Sequence, residues 1–112
     1  MRIAVPMHDG KLSAHFGHCQ QFMVIDADSE TNTITEAQNL IPPAHEPGVL
    51  PQWLKGLCVE LVIAGGMGQR AQQLFEQSNI KTIVGAPALE PKQLVTEYLK
   101  GSLECGQNVC DH

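Results

Sequence analysis

The sequence predicts an α/β fold: a mixed five-stranded sheet in the order β-β-β-α-β-α-β-α, with helices on its faces. Three observations carry this prediction. Short apolar runs of strand length, such as Ile3-Ala4-Val5 and Leu61-Val62-Ile63-Ala64, recur along a chain of 112 residues. The hydrophobic period changes from two to about 3.6 near residue 49. Beyond that point strands and helices alternate, and alternation of this kind demands right-handed parallel crossovers. The length suits one core and one domain, spanning 1–112 with a tail from about residue 103.

Each element has its own signal. Ile3-Ala4-Val5, ended by Pro6, suits a strand buried on both faces. Residues 7–21 hold two glycines, three histidines and few aliphatics, so a long loop is expected there. Phe22 to Asp26 forms the second strand, Asp28 to Asn32 a turn, and Thr33 to Glu36 the third strand, paired as an antiparallel hairpin. Pro42, Pro43, Pro47 and Gly48 mark another loop. Val49, Leu50, Trp53, Leu54 and Leu57 are spaced as one face of a helix, with Pro51 tolerated in its first turn. Leu61 to Ala64 is the fourth strand. Ala71, Leu74 and Phe75 mark the inner face of a second helix, and Ile80 to Val84 is the fifth strand. Pro91 suits a helix start and Gly101 its end, with Leu94, Val95, Tyr98 and Leu99 facing inward.

Composition narrows the function. Seven Lys+Arg against twelve Asp+Glu give a formal charge of −5. Such a chain has no broad field to attract nucleic acid or anionic lipid, so an anionic ligand needs local donors. Met1 to Pro6 lacks the basic and apolar segments of a signal peptide, and no apolar run approaches membrane length. A cytoplasmic monomer that meets neither nucleic acid nor membrane is the expectation. Cys19, Cys58, Cys105 and Cys110 are then reduced thiols, open to metals or simply buried as small apolar residues. Cys58, just before an apolar strand, is expected in the core.

Three constellations can carry chemistry. Gly65-Gly66-Met67-Gly68 lies between a buried strand and an amphipathic helix. Glycines let a ligand approach the backbone, and a helix start offers unpaired N–H groups and a positive dipole end. No Gly-Lys-Ser/Thr follows and the GxGxxG spacing is missing, so neither nucleotide-binding signature applies. The same residues also suit a tight strand-to-helix turn. Met67 offers a flexible thioether inside it. The second constellation is His15-Phe16-Gly17-His18-Cys19, with two imidazoles and a thiol in five positions. These are good ligands for copper, iron or zinc, though the spacing is not a standard zinc signature. The third is the tail, where Cys105, Cys110 and His112 fold over a ligand or stay flexible. His8 and His45 suit ordinary surface positions.

Together these residues resemble the dinitrogenase iron–molybdenum cofactor-binding family. The resemblance rests on Met1-Arg2-Ile3-Ala4-Val5-Pro6, on His15-Phe16-Gly17 with Phe22, and on Ala64-Gly65-Gly66-Met67-Gly68 with Ala71 and Phe75. Val95, Tyr98, Leu99 and Gly101 extend it along essentially the whole chain. It implies a ribonuclease H-like motif and a non-catalytic accessory protein that binds a metal–sulfur cluster. It points most closely to the stand-alone members that hold a molybdenum–copper sulfide cluster; an iron–molybdenum cofactor precursor is the related cargo. Unidentified protein partners would deliver and receive the cluster. In this picture Gly65, Gly66, Gly68 and Gly17 cradle the cluster, Phe16 and Met67 shield it, and Arg70 adds positive charge. His15, His18, Cys19, Cys105, Cys110 and His112 are the candidate metal ligands.

Three other readings compete. A ribonuclease H-like nuclease needs converging carboxylates, and Ile3-Ala4-Val5 carries none. A small His/Cys binding or sensor protein for a single zinc or copper ion needs only the loop and tail. A protein-interaction module would leave the family site empty.

Overall fold

The computed structural model describes residues 1–13, 16, 19–43 and 48–106. The strands are β1 (Arg2–His8), β2 (Lys11–Leu12), β3 (Gln21–Asp28), β4 (Thr33–Leu40), β5 (Leu61–Ile63) and β6 (Lys81–Ile83). The helices are α1 (Val49–Gly56), α2 (Gln69–Gln77) and α3 (Pro91–Leu99). The expected architecture stands, with one strand more. The sheet runs β4-β3-β1-β5-β6, and the two-residue β2 pairs with the end of β1. β1, β5 and β6 are parallel, while β3 and β4 form the predicted antiparallel hairpin.

Pro6 does not end the first strand. β1 continues through it, pairing Pro6 with Phe22 and Met7 with Gln21 on β3. The Pro6 carbonyl accepts from Ser13 N at 2.9 Å, so it points away from β3. The missing proline N–H lies on that same side, beyond the last β5 partner, Val62 opposite Ala4. It therefore deprives β3 of nothing. The lost donor also explains why β2 stops at Leu12, opposite Met7.

The sheet separates two cores. Ala4, Val24, Val62 and Ala64 face α1 and α2 and pack with Phe16, Cys19, Phe22, Leu54, Met67 and Phe75. Ile3, Val5, Ile25, Leu61 and Ile63 face α3 and pack with Leu94 and Val95. Successive residues of β1 and β5 thus serve opposite faces, as strand geometry requires.

All three helices end in the same way. Cys58, Asn79 and Gly101 follow α1, α2 and α3 with φ of 63°, 60° and 74°. Each donates its N–H to the carbonyl three residues back, and the next residue donates five residues back. This is the Schellman arrangement, which satisfies the last carbonyls of a helix. Only Gly101 advertised it in sequence. Cys58 is accordingly exposed, contrary to the core position expected from its neighbours. The left-handed turn points it away while Val59 packs inward, 5% exposed.

Candidate functional site

The parallel strands β1, β5 and β6 end at one edge of the sheet. In open α/β sheets this edge is where the connecting loops form ligand crevices. Three segments meet there: the loop between β2 and β3, the glycine turn at 65–68, and the loop following β6.

Their backbones are bonded together. Phe16 N donates to Gly66 O at 2.8 Å, and Gly85 N donates to Gly65 O at 2.6 Å. Ala86 N donates to Ala64 O at 3.1 Å. The Gln72 side chain donates from Nε2 to Met67 O at 2.9 Å. The carbonyls of Ala64 to Met67 are therefore each taken by a donor of the protein itself. α2 begins at this point. Its N-cap, Gly68, brings no side-chain bond, and its first turn holds no acid. A helix start with no side-chain cap and a positive dipole end suits an anion.

Access is graded along the turn. Gly65, Gly66 and Met67 are buried, Gly68 is half-buried, and Gln69 and Arg70 are exposed. Arg70 thus sets an exposed positive charge beside the helix start. Gly68 has φ −66° and ψ 157°, a region open to any residue. Backbone conformation therefore does not require glycine there. Met67 is 0% exposed and packs under the turn with the aromatic core. It supplies a soft floor and does not itself meet solvent.

Phe16 anchors the first loop. Its ring lies edge-on to Phe22 at 5.8 Å and to Phe75 at 5.5 Å, and Phe22 continues to Trp53 at 5.6 Å. Such edge-to-face pairs are favoured by ring quadrupoles. Cys19 enters the same cluster and is 8% exposed. Burial pushes its thiol up to about 11. The cause is desolvation, which disfavours the charged thiolate.

The tail begins at this edge too. Gly106 N donates to Gly85 O at 2.6 Å, which brings exposed Cys105 beside the loop after β6. Gly85 has φ 79°, and a Cβ there would collide with the Gly106 backbone. The structure therefore brings Phe16, Cys19, the glycine turn and the root of the tail to one edge. His15, Gly17, His18, Cys110 and His112 lie outside the described residues, as does His45. Among the described residues no three His, Cys, Asp or Glu side chains are grouped to hold a metal ion. None of their helices is long and apolar enough to cross a membrane. An open groove of about 540 Å³ lies along β6, lined by residues such as Glu76, Lys81 and Tyr98. Gln72 also lines it, but none of the residues that the sequence pointed to for cargo does.

Gln72 and Gly85 escaped the sequence reading. A glycine just beyond a strand is a recognisable hint of a turn. A glutamine on a helix surface carries no signal until its bond partner is seen.

Comparison with known proteins identifies the family. Residues 1–101 match the family model described as dinitrogenase iron-molybdenum cofactor, and the chain belongs to that family. An uncharacterized protein of Methanocaldococcus jannaschii is 28% identical over 110 residues, covering 93% of this chain and 90% of that one. The crystal structure of PH0822 superposes with a TM-score of 0.86 at 24% identity, covering 96% of this chain and 98% of the other. The apo form of the orange protein from Desulfovibrio gigas gives a TM-score of 0.72 at 25% identity, with 96% and 93% covered.

Proposed function

We propose that this member of the iron–molybdenum cofactor family is a non-catalytic carrier for an anionic metal–sulfur cluster, specifically a molybdenum–copper sulfide cluster. Family membership supports the cluster class, and the likeness to the orange protein supports a stand-alone carrier. The observation that carries the reading is the glycine turn. Its carbonyls are occupied internally, and it opens an uncapped helix that carries no acid in its first turn.

The donor set fits such a cargo in one particular way. A thiomolybdate-type cluster is bulky, negative and rich in weakly accepting sulfur. N–H donors at Gly68 and the start of α2, with the charge of Arg70, hold it without a covalent bond. Burial raises the Cys19 thiol and so makes the thiolate a metal would need more costly, which favours the backbone donors as the main hold. Phe16 and the buried Met67 give the site an apolar floor. An iron–molybdenum cofactor precursor has the same sign and softness and would use the same donors. The carrier exchanges its cluster with separate delivery and acceptor proteins.

The test is anaerobic purification without added metals, followed by analysis for Mo, Cu, Fe, Zn and sulfide. Reconstitution with tetrathiomolybdate and copper is then expected to give a visible chromophore at about one cluster per chain. A protein that retains zinc alone, or stays colourless on reconstitution, contradicts the proposal.

A further inference from the structure

The glycine turn keeps its shape through bonds to its own carbonyls. Gly65 O is held by Gly85 N, Gly66 O by Phe16 N, and Met67 O by Gln72 Nε2. A trans peptide is planar, and its C=O points opposite to the following N–H. Each carbonyl bond therefore fixes the direction of the next N–H along the chain: Gly66, Met67 and Gly68 in turn. Gly66 and Met67 are buried, whereas Gly68 is half-buried at the head of α2. The Gly68 N–H is thus the member of this set nearest the surface, and Gln72 is what fixes it.

Two of the three donors are backbone groups, which only a proline substitution would remove. Gln72 is a side chain. It is half-buried on the first turns of α2, and its own N–H also bonds Gly68 O at 3.1 Å. A glutamine held in one rotamer gives up considerable side-chain entropy. Here that cost is offset by the bond that its amide donates to the Met67 carbonyl.

We propose that Gln72 is a positioning residue for the cargo site: by holding the Met67 carbonyl it aims the Gly68 N–H at the bound anion. This rests on the reading that the cluster sits at the glycine turn. It goes beyond that reading by assigning a role to a residue outside the motif that carries the family resemblance.

The test compares wild type with Gln72→Met, which keeps the length and removes the donor, and with Gln72→Glu. The glutamate cannot donate when ionised and places a negative charge beside the site. Anaerobic titration with tetrathiomolybdate and copper is expected to show affinity about five-fold weaker for Gln72→Met, the equivalent of one ordinary hydrogen bond. Gln72→Glu is expected to lose at least about ten-fold. The visible circular dichroism of the bound chromophore should change shape in Gln72→Met, which a purely structural role would not produce at an unchanged thermal midpoint. Wild-type affinity together with a wild-type dichroism spectrum in Gln72→Met overturns the proposal. If the methionine variant does not fold, Gln72→Ala takes its place, since alanine favours the helix.

A second readout uses no cargo. In the unloaded protein, the amide resonance and hydrogen exchange of Gly68 should shift between wild type and Gln72→Met. If wild type takes up no cluster, the carrier reading fails and this readout alone decides the positioning role. An unchanged Gly68 amide overturns it.

Discussion

The two faces of the sheet are packed with different chemistry. The face under α3 is aliphatic: Ile3, Val5, Ile25, Leu61, Ile63, Leu94 and Val95, with Tyr98 at its margin. The face under α1 and α2 places the small residues Ala4 and Ala64 in the strands. That leaves room for Phe16, Phe22, Phe75, Met67 and Cys19 above them. Phe16, Cys19 and Met67 also belong to the candidate site, whereas the α3 face reaches it among the described residues through the Ala86 backbone. One face is only a core; the other is a core and the floor of a site. Damage to the first should cost stability alone, and damage to the second should cost stability and cargo together.

The largest effect expected from this contrast comes from the two buried anchors. Phe75→Ala removes a fully buried ring from the aromatic face and should cost about 3–5 kcal/mol. Leu94→Ala on the other face should cost about 2–5 kcal/mol. Denaturant melts measure both. Below its midpoint, folded Leu94→Ala should take up cluster at wild-type stoichiometry, whereas Phe75→Ala should not. A folded Leu94→Ala protein that loses its cargo breaks the comparison.

Cys19 sharpens the contrast through pH. Its thiol is raised by burial to about 11, so the folded state favours the neutral form. The stability this contributes is complete below the thiol's unfolded value, about 8.5, and is lost as pH rises toward about 11. Alkylation at pH 8 should be fast at exposed Cys58 and Cys105 and slow at Cys19, as peptide mapping would reveal. Rapid labelling of Cys19 at that pH would restore it as a candidate thiolate ligand.

Smaller effects lie at the opposite edge of the sheet. Arg2 Nε meets Asp26 at 2.7 Å and Arg2 Nη1 reaches Leu57 O at 2.6 Å. The hydrogen bond from Arg2 holds the Asp26 carboxyl below its ordinary value. The pair is partly exposed, so Asp26→Asn should cost about 1 kcal/mol or less. That contribution is full above about pH 4 and disappears as pH falls through the lowered carboxyl value. Cys58→Gly should stabilise by about 0.5–1 kcal/mol, because glycine takes the left-handed position more readily than cysteine. Neither change should alter cargo uptake.

Much of this was legible in the sequence. Alternation and apolar runs located the hairpin, the parallel strands and all three helices, because burial on one face or two leaves a direct periodic trace. The glycine turn was visible for the same reason: few residue types tolerate a close backbone approach. What escaped depends on tertiary partners. Pro6 looked like a strand end until the course of β2 showed which side lacked the donor. Cys58 looked buried because its neighbours are, yet the helix-ending turn reverses its direction. Gln72 and Gly85 act through single bonds to Met67, Gly65 and Gly106, and no local pattern encodes such bonds.

The central claim is that backbone donors at the glycine turn, and not the Cys19 thiol, hold the cluster. Wild type, Cys19→Ser and Gly66→Val should be reconstituted side by side with tetrathiomolybdate and copper, each with a circular dichroism melt. Gly66 is buried beneath the Phe16 N–H, so a β-branched side chain there should displace the loop and close the approach. Cys19→Ser is expected to bind at full stoichiometry, and folded Gly66→Val to bind none. A folded Gly66→Val protein that binds fully, or a folded Cys19→Ser protein that stays colourless, would contradict the account.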